Sequence, residues 1–258
     1  PRSNISLTIF SRTDLLMPPF KFVSKDEPTL TTTLLLKFNI FELSMVAIIK
    51  MKEIIIVSSG AIAIGRGKLS LERELSLNES QAVAARGQIE LMNAWQKSFK
   101  KHNIQVAQIL LSPDDTLNKK SSNNAKSTIK TLWSLDCIPI INENDTTSND
   151  EIKFGDNDIL AAQISKLMKA NCLILLSNVD GLFESNPSNK SKSKLVSNVK
   201  IISRNIKAMA GVASKHGKGG MISKIKAAEI CTKSKCSVII TSGLKNDPIK
   251  NVFLSILT

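Results

Sequence analysis

Six carboxylates, Glu143, Asp145, Asp150, Glu151, Asp156 and Asp158, crowd into the stretch IPIINENDTTSNDEIKFGDND at residues 138–158 of a chain whose formal net charge is +13. Acids this close repel one another, and the repulsion is unfavourable unless a metal, an ammonium group or dense hydrogen bonding offsets it. The stretch opens with an apolar run, residues 138–141, that reads as a buried strand. Open α/β sheets place their ligands at the carboxyl ends of strands. The cluster therefore marks a candidate site for a metal or a cationic ligand.

Three further groups carry chemistry. HGKGGMISK, residues 216–224, runs straight into a helical pattern at 222–232. Its glycines let the backbone approach a ligand closely, the helix start offers unpaired N–H groups, and Lys218 and Lys224 add positive charge, so the element suits phosphate. It lacks the G-x-x-x-x-G-K-[ST] spacing of a P-loop, and a purely structural turn is the competing reading. SSGA, residues 58–61, pairs two hydroxyls with a glycine at a strand-to-helix turn. It suits an anion, although a serine helix cap is the simpler reading. SNVDGLF, residues 177–183, follows another apolar run and contains an Asp-Gly turn. Of the two histidines, His102 sits where it would cap a helix carboxyl end. His216 borders the glycine loop with no serine or cysteine nucleophile beside it, which excludes a catalytic triad.

These groups need a scaffold that brings them together. Apolar runs at residues 53–57, 106–111, 138–141, 172–176 and 237–241 read as strands, and they alternate with helical patterns at 80–101, 124–135, 159–168 and 222–232. In the first helix Ala82, Ala85, Ile89, Met92 and Phe99 recur at roughly helical spacing. Strands that are apolar throughout and alternate with helices imply a mainly parallel sheet covered on both faces. The polar insert 185–198 reads as a surface loop or hairpin. Residues 1–52 form an atypical N-terminal segment without a single glycine, where 31–38 is the candidate strand and 40–52 a candidate short helix.

Composition narrows the classes. Only six of the 35 basic residues are arginine, the lysines are spread from end to end, and there is no tyrosine. Arginine forks and aromatic stacking platforms are thus missing, which argues against nucleic acid as the main partner. No run approaches the length of a spanning helix and no clean signal peptide opens the chain, so no membrane is expected and the cytoplasm is the default. Cys137, Cys172, Cys231 and Cys236 show no metal-binding spacing and read as reduced core thiols.

Together, the runs IPIINENDTTSNDEIKFGDND, SSGAIAIG, SQAVAARGQIELM, QILLSPDD, LSNVDGLF and GKGGMISK resemble the glutamate 5-kinase family of the amino acid kinase superfamily, in the family's order, over about residues 53–243. The resemblance implies an α/β fold, a three-layer αβα sandwich with a mainly parallel central sheet, in a kinase domain at 53–258. It also implies ATP-dependent phosphorylation of the γ-carboxylate of L-glutamate, the first step of proline biosynthesis, with Mg2+ travelling with ATP. By position, Ser59, Asp145 and Asn157 match glutamate-binding positions, and Asn142 and Asp156 complete that pocket. Ser177, Asn178, Lys218, Gly219, Gly220, Met221, Ile222, Ser223 and Lys224 match nucleotide-binding positions. Lys224 would stabilise the transferring phosphoryl group, and Asp158 would orient the lysines. Glu143, Asp150 and Glu151 are left as solvated loop residues. Implied partners are proline as a feedback inhibitor, glutamyl phosphate reductase as the next enzyme, and further copies of the chain in a homo-oligomer.

The chain departs from the family pattern in three places. The family opens on a strand ending in a phosphate-neutralising lysine and a glycine-rich turn; here LLLKFN would supply Lys37 and Asn39, with only 21 residues between Lys37 and Ser59. Asn178 stands where aspartate is common. The sequence ends at Thr258, where many members continue into an RNA-binding-like C-terminal domain, so that domain is not expected here. Three readings follow: an active kinase with a rebuilt N-terminus, a homologue that binds glutamate or nucleotide without turnover, and a basic nucleic-acid-binding protein.

Overall fold

The computed structural model describes residues 6–8, 53–147, 157–185, 193–211, 220–245 and 247–257. Among these residues, six parallel strands are arranged in two three-stranded sheets. One sheet has the order β1 (Ser6–Thr8), β5 (Cys172–Ser177), β6 (Ser237–Ser242); the other has β2 (Ile56–Val57), β4 (Cys137–Glu143), β3 (Gln105–Leu111). The two sheets meet where β1 lies against β2. Between the strands run α1 (Ala61–Leu69), α2 (Leu77–Lys100), α3 (Pro113–Leu117), α4 (Lys119–Ser134), α5 (Asn157–Met168), α6 (Arg204–Met209) and α7 (Met221–Thr232), and α8 (Pro248–Leu257) follows β6.

Alternation along the strands builds the three layers. Ile54, Ile56, Ile138, Ile140, Ile174 and Leu176 pack with Leu91, Trp95 and Phe99 of α2 and with Ile249 and Val252 of α8. Their neighbours Ile55, Val57, Ile141, Leu173 and Leu175 face the opposite way, onto Ile129 of α4, Leu160 and Ile164 of α5, and Ala227 and Cys231 of α7. Both faces of β2, β4 and β5 are covered, which is why these strands carry no polar alternation. No helix among the described residues is long and apolar enough to cross a membrane.

The expected strand at 53–57 pairs with β4 only over Ile56–Val57, and Pro139 explains why. The Ser58 N–H donates to the Ile141 carbonyl at 2.8 Å, so the polar backbone groups of Ile141 point toward β2. By the two-residue period Pro139 points the same way, and it has no N–H to give. The ladder therefore begins at Ile140.

Helix α2 starts three residues earlier than the apolar spacing suggested. Ser76 and Glu79 form a reciprocal cap, the Ser76 side chain accepting from the Glu79 N–H and the Glu79 carboxylate accepting from the Ser76 N–H. Its buried face is Val83, Ala84, Gly87, Leu91, Trp95 and Phe99, whereas Ala82, Ala85 and Ile89 are exposed. Only Met92 and Phe99 of the expected stripe meet the core. Helices α1 and α2 cross with their backbones nearly touching: a Cβ on Gly87 would lie 1.8 Å from the Ala61 carbonyl, and one on Gly65 2.0 Å from that of Val83.

The polar insert begins as a hairpin. Phe183 bridges Leu195 in antiparallel fashion, with Glu184 N–H donating to Lys194 and Val196 N–H to Leu182. All four cysteines are free thiols, and Cys172, Cys231 and Cys236 are buried. Burial pushes the Cys172 thiol up to about 12. Sequence periodicity missed β1, α3, α6 and α8; β1 pairs with β5 from within the segment that had looked irregular. The candidate strand at 31–38 and helix at 40–52 lie outside the described residues.

Candidate active site

The amino ends of α5 and α7 converge on one ion pair. Asp158 is the second residue of α5 and Lys224 the fourth of α7. The Lys224 Nζ donates to Asp158 Oδ2 at 3.0 Å and Oδ1 at 3.3 Å, and the Ser223 hydroxyl donates to Oδ2 as well. Asp158 and Lys224 are each only 3% exposed. A buried carboxylate needs this much compensation, and the positive end of α5 adds to it. Ser223, expected among nucleotide contacts, thus has its hydroxyl on Asp158. Before it, Gly220 opens α7 with no side-chain cap, and a Cβ there would meet nothing within 4 Å. Met221 and Ile222 form the half-buried first turn.

The carboxyl end of β4 supplies the second group. Asn142, which is 2% exposed, donates from Nδ2 to Gln88 Oε1 of α2 at 2.7 Å, while its own Oδ1 accepts from the Glu143 N–H at 2.9 Å. Glu143 is the last residue of β4 and buried, which corrects its assignment as a solvated loop acid. Strand β4 runs past Ile141 because β3 pairs with it as far as Leu111 and Glu143. Asp145 opens a short 3-10 turn, Asp145–Thr147, against which α2 packs. Burial raises its carboxyl to about 6. Asn157, at the start of α5, is buried, and its Oδ1 has no hydrogen-bond partner among the described residues. The same holds for Gln88 Nε2.

The SSGA turn divides its two serines. Ser58 is fully buried and accepts from the indole Nε1–H of Trp95 at 3.0 Å. It caps no helix. The cap of α1 is Gly60, with φ 109° and no side-chain bond, so the serine-cap reading is corrected. Glycine is needed there because other residues are strained at that φ. Ser59 sits half-buried between them, at the carboxyl end of β2.

At the end of β5, the Ser177 carbonyl accepts from the Gly243 N–H at 2.8 Å, and its hydroxyl lies 3.4 Å from Asn178 Oδ1. This joins the ends of β5 and β6. Asp180 makes an exposed ion pair with Lys245 at 2.9 Å, which leaves the Asp-Gly turn a structural one.

Parallel strands therefore bring Ser59, Asn142, Asp145, Ser177 and Asn178 to the same edge of the fold, and Asn157 and Asp158 open the helix leading into β5. Lys37, Asp156, Lys218 and Gly219, together with Asp150 and Glu151, lie outside the described residues. Sequence reasoning missed Gln88. Its only signal was a polar residue beside the glycine of the buried helix face.

Comparison with known proteins adds a relationship to this geometry. Residues 42–242 match the amino acid kinase family. The glutamate 5-kinase of Paramagnetospirillum magneticum is 45% identical over 202 residues, 78% of this chain and 55% of that protein. The glutamate 5-kinase of Clostridium acetobutylicum is 46% identical over 202 residues, 78% of this chain and 76% of that protein. The chain thus spans about half the length of the first relative and three quarters of the second. Among solved structures, the UMP kinase of Ureaplasma parvum superposes with a TM-score of 0.62 at 16% identity, covering 99% of this chain and 96% of that one, which shows the shared fold.

Proposed function

Because the chain belongs to the amino acid kinase family and, within it, to the glutamate 5-kinases, we propose that it transfers the γ-phosphoryl group of ATP to the γ-carboxylate of L-glutamate, forming γ-glutamyl phosphate. The observation that carries this reading is the buried Lys224–Asp158–Ser223 knot at the joined amino ends of α5 and α7. Phosphoryl transfer asks little covalent help from a protein; it asks for alignment and for positive charge where negative charge accumulates. Lys224, steered by Asp158, supplies such a charge. The start of α7 at Gly220, Met221 and Ile222 adds backbone N–H groups suited to phosphate oxygens. Ser177 and Asn178 would border the same nucleotide side, and Lys218 and Gly219, just before Gly220 in sequence, would add to the nucleotide contacts.

The acceptor needs no general base, because it is already a carboxylate. The amino acid would be held by Ser59, Asn142, Asp145, Asp156 and Asn157, with the ammonium group meeting Asp145, a buried carboxyl that a cation would hold ionised. Magnesium would enter on the phosphates of ATP, as this small, strongly hydrated cation commonly does. Lys37, from the N-terminal segment, would neutralise the phosphates bound by the kinase domain at 53–258.

The proposal extends to a cytoplasmic homo-oligomer that is inhibited by proline and hands its acyl phosphate to glutamyl phosphate reductase. The test is an assay with ATP, Mg2+ and L-glutamate that traps the acyl phosphate as a hydroxamate. Glutamate-dependent hydroxamate is the expected result. A folded, glutamate-binding sample that forms none overturns the kinase reading in favour of a binding-only homologue.

A further inference from the structure

We propose that Gln88 selects the substrate by donating a hydrogen bond from Nε2 to its α-carboxylate, an inference that rests on the glutamate-binding reading of this site. The argument is one of hydrogen-bond polarity. The Glu143 N–H occupies Asn142 Oδ1 at 2.9 Å, so Asn142 must turn its NH2 outward. That NH2 donates to Gln88 Oε1 at 2.7 Å, so Gln88 in turn must present its own NH2 on the far side. Rotating either amide would set donor against donor. A backbone N–H at the end of a buried strand thus dictates, two side chains away, that α2 offers a donor and not an acceptor.

That donor is shielded from solvent and finds no acceptor among the described residues. Buried amide hydrogens are seldom left without partners, and a ligand acceptor would satisfy this one. Placement indicates which acceptor. Gln88 is tied through Asn142 to the sheet β2–β4–β3, whereas Lys224 lies on α7, which packs on β6 of the other sheet. Gln88 therefore faces the end of the amino acid remote from phosphoryl transfer. Helix α2 also packs on the turn that begins with Asp145. A ligand whose ammonium group meets Asp145 carries its α-carboxylate on the same carbon atom, within reach of a neighbouring amide.

The experiment compares two ligands on the full 258-residue chain, using calorimetric dissociation constants and hydroxamate formation. L-glutamate has a free α-carboxylate; L-isoglutamine has the same γ-carboxylate but an α-amide. The wild type should favour glutamate, and Gln88→Leu should weaken glutamate by about 10- to 100-fold, the range expected for a lost hydrogen bond to a charged group. The affinities for isoglutamine and ATP should change less than about threefold. Gln88→Glu, which sets a carboxylate against a carboxylate, should weaken glutamate further and narrow or reverse the preference. Equal loss for both ligands, or a glutamate constant within about twofold of wild type, overturns the contact. A wild-type chain that binds glutamate without forming hydroxamate overturns the kinase reading and leaves the Gln88 comparison valid. A wild type that binds neither ligand overturns both.

Discussion

Lys224 and Asp158 are 66 residues apart in the chain, yet Nζ and Oδ2 lie 3.0 Å apart with both side chains 4% exposed. Removing one partner of such a pair leaves a charge buried without its counter-ion. Asp158→Asn should therefore cost about 3–5 kcal/mol of stability. Lys224→Met should cost a similar amount and also lower turnover by about 10²-fold or more. The double variant Lys224→Met/Asp158→Leu should recover most of the stability and none of the activity. Urea denaturation alongside the hydroxamate assay separates the two effects.

Asp145 makes glutamate binding depend on pH. Its carboxyl is raised from 3.8 to about 6 by burial. A raised folded-state pKa means that this group's contribution to stability is full below about pH 4 and is lost as pH rises through 6. An ammonium ligand needs the ionised form, so affinity for glutamate should run the opposite way, strengthening as pH rises through about 6 and then levelling. Melting curves with and without glutamate between pH 4.5 and 8 would show both slopes. Asp145→Asn should flatten both, and an unchanged profile in that variant would assign the titration elsewhere.

The α1–α2 crossing leaves no room for a methyl group. Gly87→Ala places a Cβ against the Ala61 carbonyl and the Gly65 nitrogen. The helices must separate, which should lower stability by about 1–3 kcal/mol. Because α1 starts at Ala61, directly after Ser59 and Gly60, the same shift should weaken glutamate binding. Gly67→Ala, in α1, makes a control, since a Cβ there meets nothing within 4 Å; a Gly87→Ala variant as stable as this control would refute the packing argument.

Adjacent serines should give opposite phenotypes. Ser58→Ala removes the acceptor of the Trp95 indole in the core and should cost about 1–3 kcal/mol of stability while glutamate affinity is retained. Ser59→Ala should leave the melting temperature nearly unchanged and weaken glutamate binding. Thermal melts and calorimetry on the pair would expose any reversal.

Much of this architecture was legible in the sequence because burial on both faces leaves an unmistakable mark. Runs such as LILL in β5 and IPII in β4 have no polar alternation, and their order with the helices fixed a parallel, three-layer plan. The carboxyl-end rule then placed Asn142, Asp145 and Ser177 at one edge. Less was legible where the decisive term is not hydropathy. Pro139 shortened β2 through a missing N–H on a neighbouring strand. The buried face of α2 runs through Val83, Ala84 and Gly87 because the close approach of α1 selects small residues there; the apolar period alone favoured Ala82, Ala85 and Ile89. Gln88 escaped notice because its role depends on a relay of amide orientations that starts at Glu143.

Ser58 under Trp95 and Ser59 at the site edge have a consequence for how this region tolerates change. In an extended backbone neighbouring side chains point to opposite faces, and a slip of one residue inverts them all. Deleting a single residue from 53–57, with the strand held in register, would bring Ser59 under the indole and Ser58 into the buried place of Val57, although the local composition would hardly differ. Deleting two would keep the faces as they are. What this stretch conserves physically is parity: an even edit shortens the strand, and an odd one turns the site inside out.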